Sequence, residues 1–134
     1  MPETFRSWLP IEGTEEELFL ETVTKGLHHV EATLSRGVDA ERTLVVNFGD
    51  AIAFRVSPEH AFMQAPQIQE RRGNGCLYTV EDSSYREWLE SGSLGILNHP
   101  FKHFAIVSVD GCLDVLTLDE PVVHWRSEEQ NKAE

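Results

Sequence analysis

Asp114 is the residue whose position most suggests chemistry, because it is a carboxylate inside an apolar hairpin that runs through residues 103–125. Alternation along this hairpin places Asp114 and His103 on the same face. A buried carboxylate without partners would cost several kcal/mol. We therefore expect Asp114 to pair with Arg55, His103 or backbone N–H groups of a nearby loop. This structural role is favoured over solvent exposure or direct participation in function.

The histidines and cysteines do not form a recognisable catalytic or metal motif. His99 and His103 are four residues apart, a spacing that shares a face only on a helix, but Pro100 and the strand pattern after it argue against one. G-x-S-x-G, H-E-x-x-H and phosphate-binding glycine-loop motifs are absent. Cys76 and Cys112 are expected to be reduced, buried side chains. The sequence thus predicts no cofactor and no metal, and it favours a non-catalytic protein.

The formal net charge is −12, and acids concentrate near both ends of the chain. Binding to nucleic-acid phosphates or anionic membranes requires a basic patch, whereas the main basic cluster here is the pair Arg71-Arg72 in a predicted loop. No apolar run approaches the ~20 residues of a membrane-spanning helix, and the start lacks a signal-peptide pattern. We expect a cytoplasmic protein whose acidic surface suits a basic protein partner, although acidity also promotes solubility. The oligomeric state stays open.

Turn residues divide the chain into short segments without an internal repeat or a linker between domains. We predict a single domain over residues 1–134, with an ordered core of about 14–126 and ragged acidic termini. The predicted fold class is α+β and mainly antiparallel β-sheet. It has about seven or eight short strands in a sandwich or partial barrel, with two short helices.

Two turn signals predict hairpins in the first half of the chain. Lys25-Gly26 separates two alternating runs, but Thr14 and Glu17 form a capping box, which leaves a helix over residues 15–25 as the alternative. Gly49-Asp50 predicts a type II′ turn between two adjacent, paired strands.

A third turn signal, Asp110-Gly111, predicts the register of the hairpin that contains Asp114. In this register Asp114 lies opposite Val107, and His103 lies opposite Leu118. The hairpin therefore brings His103 and Asp114 to one face without making them direct partners.

Two segments have helical patterns. Ser57 and Pro58 predict a short helix that ends before Pro66. In "EDSSYREWLESG", Ser84 and Glu87 form a capping box, and Gly92 is placed to end the helix. One face of this second helix is expected to pack on the sheet, and it carries Tyr85, Trp88 and Leu89.

Three groups of residues are similar to motifs of known sequences. They are Ala53-Phe54-Arg55; Val80-Glu81-x-Ser83 with Tyr85 and Trp88; and His103-Phe104-x-Ile106 followed by Asp114-Val115-Leu116. In these motifs the chain resembles a family of small bacterial proteins of uncharacterised function. The resemblance implies that Arg55, His103 and Asp114 belong to one structural set, and it implies no activity. Thr117 stands where serine is usual in that family.

Three classes of function are compatible with these observations. The leading hypothesis is a non-catalytic protein-interaction module, of the immunity or adaptor type, that binds a basic protein. The second is a small-molecule-binding domain with a pocket between the Trp88 helix and the sheet. The third is a hydrolase or metal enzyme that uses His103 and Asp114. The candidate structural or functional cluster consists of Arg55, Tyr85, Trp88, His103 and Asp114.

Overall fold

A computed structural model describes residues 4–14, 18–36, 41–57, 76–93, 100–108 and 111–127. The elements in these ranges are β1 (Thr4–Ser7), β2 (Phe19–Lys25), β3 (Val30–Ser35), β4 (Arg42–Asn47), β5 (Ala53–Ser57), β6 (Leu77–Glu81), α1 (Ser84–Gly92), β7 (Lys102–Ser108), β8 (Gly111–Thr117) and β9 (Val122–Ser127). All strand pairs are antiparallel, which confirms the predicted mainly antiparallel fold. The helix predicted after Ser57 and the loop containing Arg71-Arg72 lie outside the described residues.

The strands form two sheets. The five-stranded sheet has the order β1-β6-β7-β8-β5, and the four-stranded sheet has the order β2-β3-β4-β9. Both sheets contribute side chains to one hydrophobic core, because each has an apolar face produced by strand alternation. The core includes Leu77, Phe104, Ile106, Leu113 and Val115 from the first sheet, and Val30, Ala32, Leu34, Leu44 and Val46 from the second.

The five-stranded sheet is also buried on its other face, which we call the outer face. A second hydrophobic cluster lies there and comprises Phe5, Tyr78, Val80 and Ala105. Every residue of β8 is buried, so side chains on both faces of this strand are removed from water. His103 and Asp114 lie on the outer face, on the opposite side of the sheet from the main core.

The Lys25-Gly26 hairpin prediction is confirmed, since β2 and β3 pair with Lys25 opposite Val30. The alternative helix is wrong for residues 19–25, where β-branched residues favour the strand. In the β7–β8 hairpin the predicted register is wrong by two residues, because Ala105 lies opposite Asp114, and Leu116 opposite His103. A shift of two residues keeps every side chain on its predicted face.

The hairpin predicted at Gly49-Asp50 is wrong. β4 pairs with β3 and β9 in one sheet, whereas β5 pairs with β8 in the other. Gly49 has φ +68°, and its N–H donates to Asn47 Oδ1 at 2.8 Å. Ile52 N–H then donates to Leu116 O at 2.9 Å, so the chain leaves one sheet and enters the other within a few residues. Alternation along β4 and β5 determines the faces of each strand but not its neighbour, so the sequence pattern fits a crossover as well as a hairpin.

The predicted helix at "EDSSYREWLESG" is present as α1, but its N-cap is Ser83 and not Ser84. The prediction that Trp88 packs on the sheet is wrong, because 65% of its surface is exposed. Tyr85 is buried, and it is this residue of α1 that packs against the sheet. Among the described ranges, no helix has the length and apolar character to cross a membrane.

Candidate functional site

Four of the five candidate residues meet on the outer face of the five-stranded sheet. Arg55 on β5 and Asp114 on β8 are direct cross-strand partners. His103 lies on β7, the strand that pairs with β8 on the side away from β5. Tyr85 of α1 contacts the His103 ring. Trp88 lies farther out, where its ring stacks on Tyr85.

Both carboxylate oxygens of Asp114 have a partner. Oδ1 is 2.7 Å from His103 Nε2, and Oδ2 accepts from Arg55 Nε at 3.1 Å. The side chains of His103 and Asp114 are each only 1% exposed. The partners expected from the sequence are therefore present together, and they compensate the cost of burying the carboxylate.

Ser83 extends this cluster and was not among the candidate residues. Its Oγ is 2.7 Å from His103 Nδ1 and accepts from the backbone N–H of Arg86 at 3.0 Å. When Ser83 donates its hydroxyl proton to Nδ1, the imidazole carries its own proton on Nε2 and donates it to Asp114. The three side chains then form a continuous hydrogen-bond chain, which we call the relay: Ser83, His103 and Asp114.

The sequence marks a helix start at the pair Ser83-Ser84 without identifying Ser83 as the cap. Ser83 and Ser84 are adjacent and both are of a residue type that caps helices, but only Ser84 has a glutamate three positions later. The capping-box pattern therefore selects Ser84. In the structure Ser83 has extended backbone angles, φ −69° and ψ 120°, which are those of an N-cap.

Tyr85 covers the exposed side of this cluster. Arg55 Cζ lies 4.2 Å from the centre of the Tyr85 ring, a cation–π contact, and the ring meets His103 edge-on at 5.8 Å. Burial raises the pKa of the Tyr85 hydroxyl above its ordinary value; the Arg55 charge opposes this shift, and the Asp114 charge adds to it. Tyr85 therefore stays a neutral phenol over the physiological pH range.

An open pocket of ≈ 600 Å³ lies beside the relay, at the N-terminal end of α1. Ser83 and His103 line it, together with the aromatic side chains of Trp8, Phe101 and Phe104 and several charged residues. Tyr85 and Trp88 do not line it. This pocket is not the one predicted between the Trp88 helix and the sheet, which stays a prediction.

Asp82, the residue before Ser83, has φ +55°. This left-handed conformation is uncommon for a residue other than glycine, although aspartate tolerates it better than most. It turns the chain sharply between β6 and α1, and this turn directs Ser83 toward His103.

The described part of the chain contains no group of three or more His, Cys, Asp or Glu side chains arranged to hold a metal ion. His99, one of the two histidines in "HPFKH", lies outside it. Cys76 and Cys112 are buried free cysteines.

No protein-family model, curated protein or solved structure matches this chain. The resemblance to small bacterial proteins in the motifs around Arg55, Ser83 and Asp114 stays a prediction.

Proposed function

We propose that the protein is a protein-interaction module that binds a basic partner through a non-catalytic docking surface on α1. The observation that carries this proposal is Trp88, whose side chain is large, apolar and 65% exposed. Tryptophan is over-represented among the residues that dominate binding energy at protein interfaces. An exposed tryptophan on a short surface helix is therefore a suitable central contact.

The surroundings of Trp88 favour binding because they limit its motion before a partner arrives. Its ring stacks on Tyr85 at 5.9 Å between centroids, with 19° between the planes. Tyr85 is in turn held by Arg55 and His103. A side chain that is already ordered loses less conformational entropy on binding, and more of the contact energy appears as affinity.

The charge around α1 indicates the chemistry of the partner. Residues 81–92 carry the acids Glu81, Asp82, Glu87 and Glu90 and the single cation Arg86. Arg86 pairs with Glu90 at 3.0 Å, and Glu81 pairs with Arg6 of β1 at 2.8 Å, so the region keeps an acidic excess of two charges. The whole chain has a net charge of −12. A basic surface would be attracted to this region at long range, and an arginine of the partner would stack favourably on the free face of an indole.

Two finer predictions accompany this proposal. We interpret the two sheets, whose inner faces share the main core, as a β-sandwich. A cytoplasmic location also stays a prediction.

The proposal is tested by affinity capture from an extract of the source organism, followed by measurement of Kd with the purified partner. Trp88→Ala is expected to weaken binding at least about 10-fold, as a central interface residue does. The matched control is Leu27→Ala, because Leu27 is 84% exposed but lies in the β2–β3 loop of the other sheet. Binding should also weaken as salt is raised.

Two results would contradict the proposal. One is a partner whose Kd changes equally for Trp88→Ala and Leu27→Ala. The other is a partner whose affinity is insensitive to salt, because the acidic surface would then not contribute to recognition.

The pocket favours a second candidate function, the binding of a small molecule. Its volume of ≈ 600 Å³ is within the range of ligand sites, and its walls combine aromatic and charged side chains. A thermal-shift screen of the wild-type protein against a set of metabolites tests this function. Stabilisation by a compound should be lost when the pocket is blocked by Thr79→Trp, whose side chain lies in the wall.

A further inference from the structure

We propose that Ser83 is a nucleophile activated by the His103–Asp114 pair, and that the adjacent pocket hydrolyses esters of small, uncharged, apolar acyl groups. This activity goes beyond the proposed docking function and is independent of it, because Trp88 does not line the pocket. Three observations carry the inference: the relay, the strained turn before Ser83, and the pocket itself.

The relay has the connectivity of a nucleophile, a general base and a carboxylate that orients the base. Both of its hydrogen bonds are 2.7 Å long. The imidazole nitrogens have the reverse assignment to that of serine proteases, since Nδ1 faces the serine and Nε2 faces the aspartate. Proton transfer requires only that one imidazole nitrogen faces the serine hydroxyl and the other faces the carboxylate, and this condition is met.

The position of Ser83 in the chain is also that of an activated nucleophile. The chain leaves strand β6, turns sharply at Asp82 with φ +55°, and then enters helix α1, whose N-cap is Ser83. Serine nucleophiles of α/β-hydrolases occupy a similar strand–turn–helix position, although the glycine motif around them is absent here. Backbone strain of this kind concentrates at functional sites. The positive end of the α1 dipole would stabilise negative charge that develops beside Ser83.

The pocket indicates the substrate class. Trp8 and Phe101 provide apolar wall, which suits an aliphatic or aromatic acyl group. Both signs of charge are present, and Lys102 is already paired with Glu120 at 2.6 Å. No excess of positive charge is available to attract an anionic substrate, so a neutral ester fits best.

The reaction balances with water as the only co-substrate. Ser83 Oγ attacks the carbonyl carbon while its proton passes to His103 Nδ1, and Asp114 stabilises the imidazolium. The bond to the leaving alcohol then breaks, and the alcohol takes the proton from Nδ1, which leaves an acyl ester on Ser83. Water attacks this ester and gives a proton to Nδ1. Cleavage of the Oγ–acyl bond releases the carboxylic acid and returns the proton to Ser83.

The inference is tested by incubating the wild-type protein with a fluorophosphonate probe, mapping the modified residue by mass spectrometry, and measuring hydrolysis of p-nitrophenyl butyrate. We expect modification at Ser83 and measurable hydrolysis. Ser83→Asn lacks the nucleophile but keeps an oxygen that caps the helix, and it should abolish both signals. His103→Gln should lower hydrolysis by at least about 100-fold.

Ser84→Ala and Leu27→Ala are the controls, and both should retain labelling and hydrolysis because neither residue belongs to the relay or the pocket. Absence of probe at Ser83 in folded wild-type protein would overturn the inference, as would hydrolysis by Ser83→Asn at the wild-type rate. The labelled residue is mapped in wild-type protein, so this measurement tests whether Ser83 is a nucleophile even if a variant fails to fold. A negative result here would leave the effect of Trp88→Ala on partner binding unchanged.

Discussion

Arg55 and Asp114 face each other across β5 and β8, yet 47% of the Arg55 side chain is exposed and only 1% of Asp114 is. One member of this ion pair is therefore in contact with solvent, and the other is buried on the outer face of the sheet. β5 lies at the edge of the five-stranded sheet, where a long side chain keeps its charged end in water, whereas β8 is covered on both sides. The carboxylate is held by Arg55 from the solvent side and by His103 from the interior.

Asp114→Asn is expected to lower the free energy of unfolding by more than about 1 kcal/mol. The substitution keeps the size of the side chain but removes the charge that both Arg55 and His103 face. Urea denaturation measures the effect. Asp119→Asn is the control, because Asp119 is exposed just beyond β8. An unchanged urea midpoint for Asp114→Asn would show that the pairing does not stabilise the fold.

Ser83→Ala is expected to destabilise the protein by about 0.5–2 kcal/mol, the usual effect of losing an N-cap side chain. The variant removes the acceptor for Arg86 N–H and the hydrogen bond to His103 together. Ser84→Ala should change stability little, since Ser84 is an exposed residue in the first turn of α1. Equal effects of the two substitutions in thermal unfolding would contradict the assignment of Ser83 as the cap.

The Tyr85 hydroxyl should ionise above the ordinary tyrosine value of 10.0, because burial raises its pKa. A folded-state pKa above that of the unfolded chain gives stability that is complete below about pH 10 and is lost as pH rises through the folded value. Ultraviolet titration of tyrosinate, compared with Tyr85→Phe, isolates this group, since the chain has two tyrosines. Ionisation of Tyr85 at the ordinary value would contradict its burial.

Trp88→Ala is expected to change the free energy of unfolding by less than about 1 kcal/mol, whereas Leu113→Ala should cost about 2–5 kcal/mol. The difference follows from exposure, since Trp88 is 65% exposed and Leu113 is fully buried in the main core. Denaturant melts of both variants provide the comparison. A large loss of stability for Trp88→Ala would place this ring in the core and remove it from the docking surface.

Much of the fold was predictable because alternation along a strand is a local property. The faces of β7 and β8 follow from the period of two, and they stay the same under the two-residue register shift observed at Asp114. The burial of a lone carboxylate among apolar neighbours likewise required a partner, and Arg55 and His103 were both foreseeable.

Only the tertiary structure decided which strands are neighbours. The segment around Gly49 has the local signature of a hairpin, but it carries the chain from one sheet to the other, because strand pairing is chosen by the packing of the whole core. The role of Ser83 has the same origin. Two adjacent serines satisfy local rules for a helix start, and the one that becomes the cap is the one whose hydroxyl also meets His103, 20 residues away in the chain. Local pattern thus determines faces and element types, whereas contacts between distant residues require the chain to be folded.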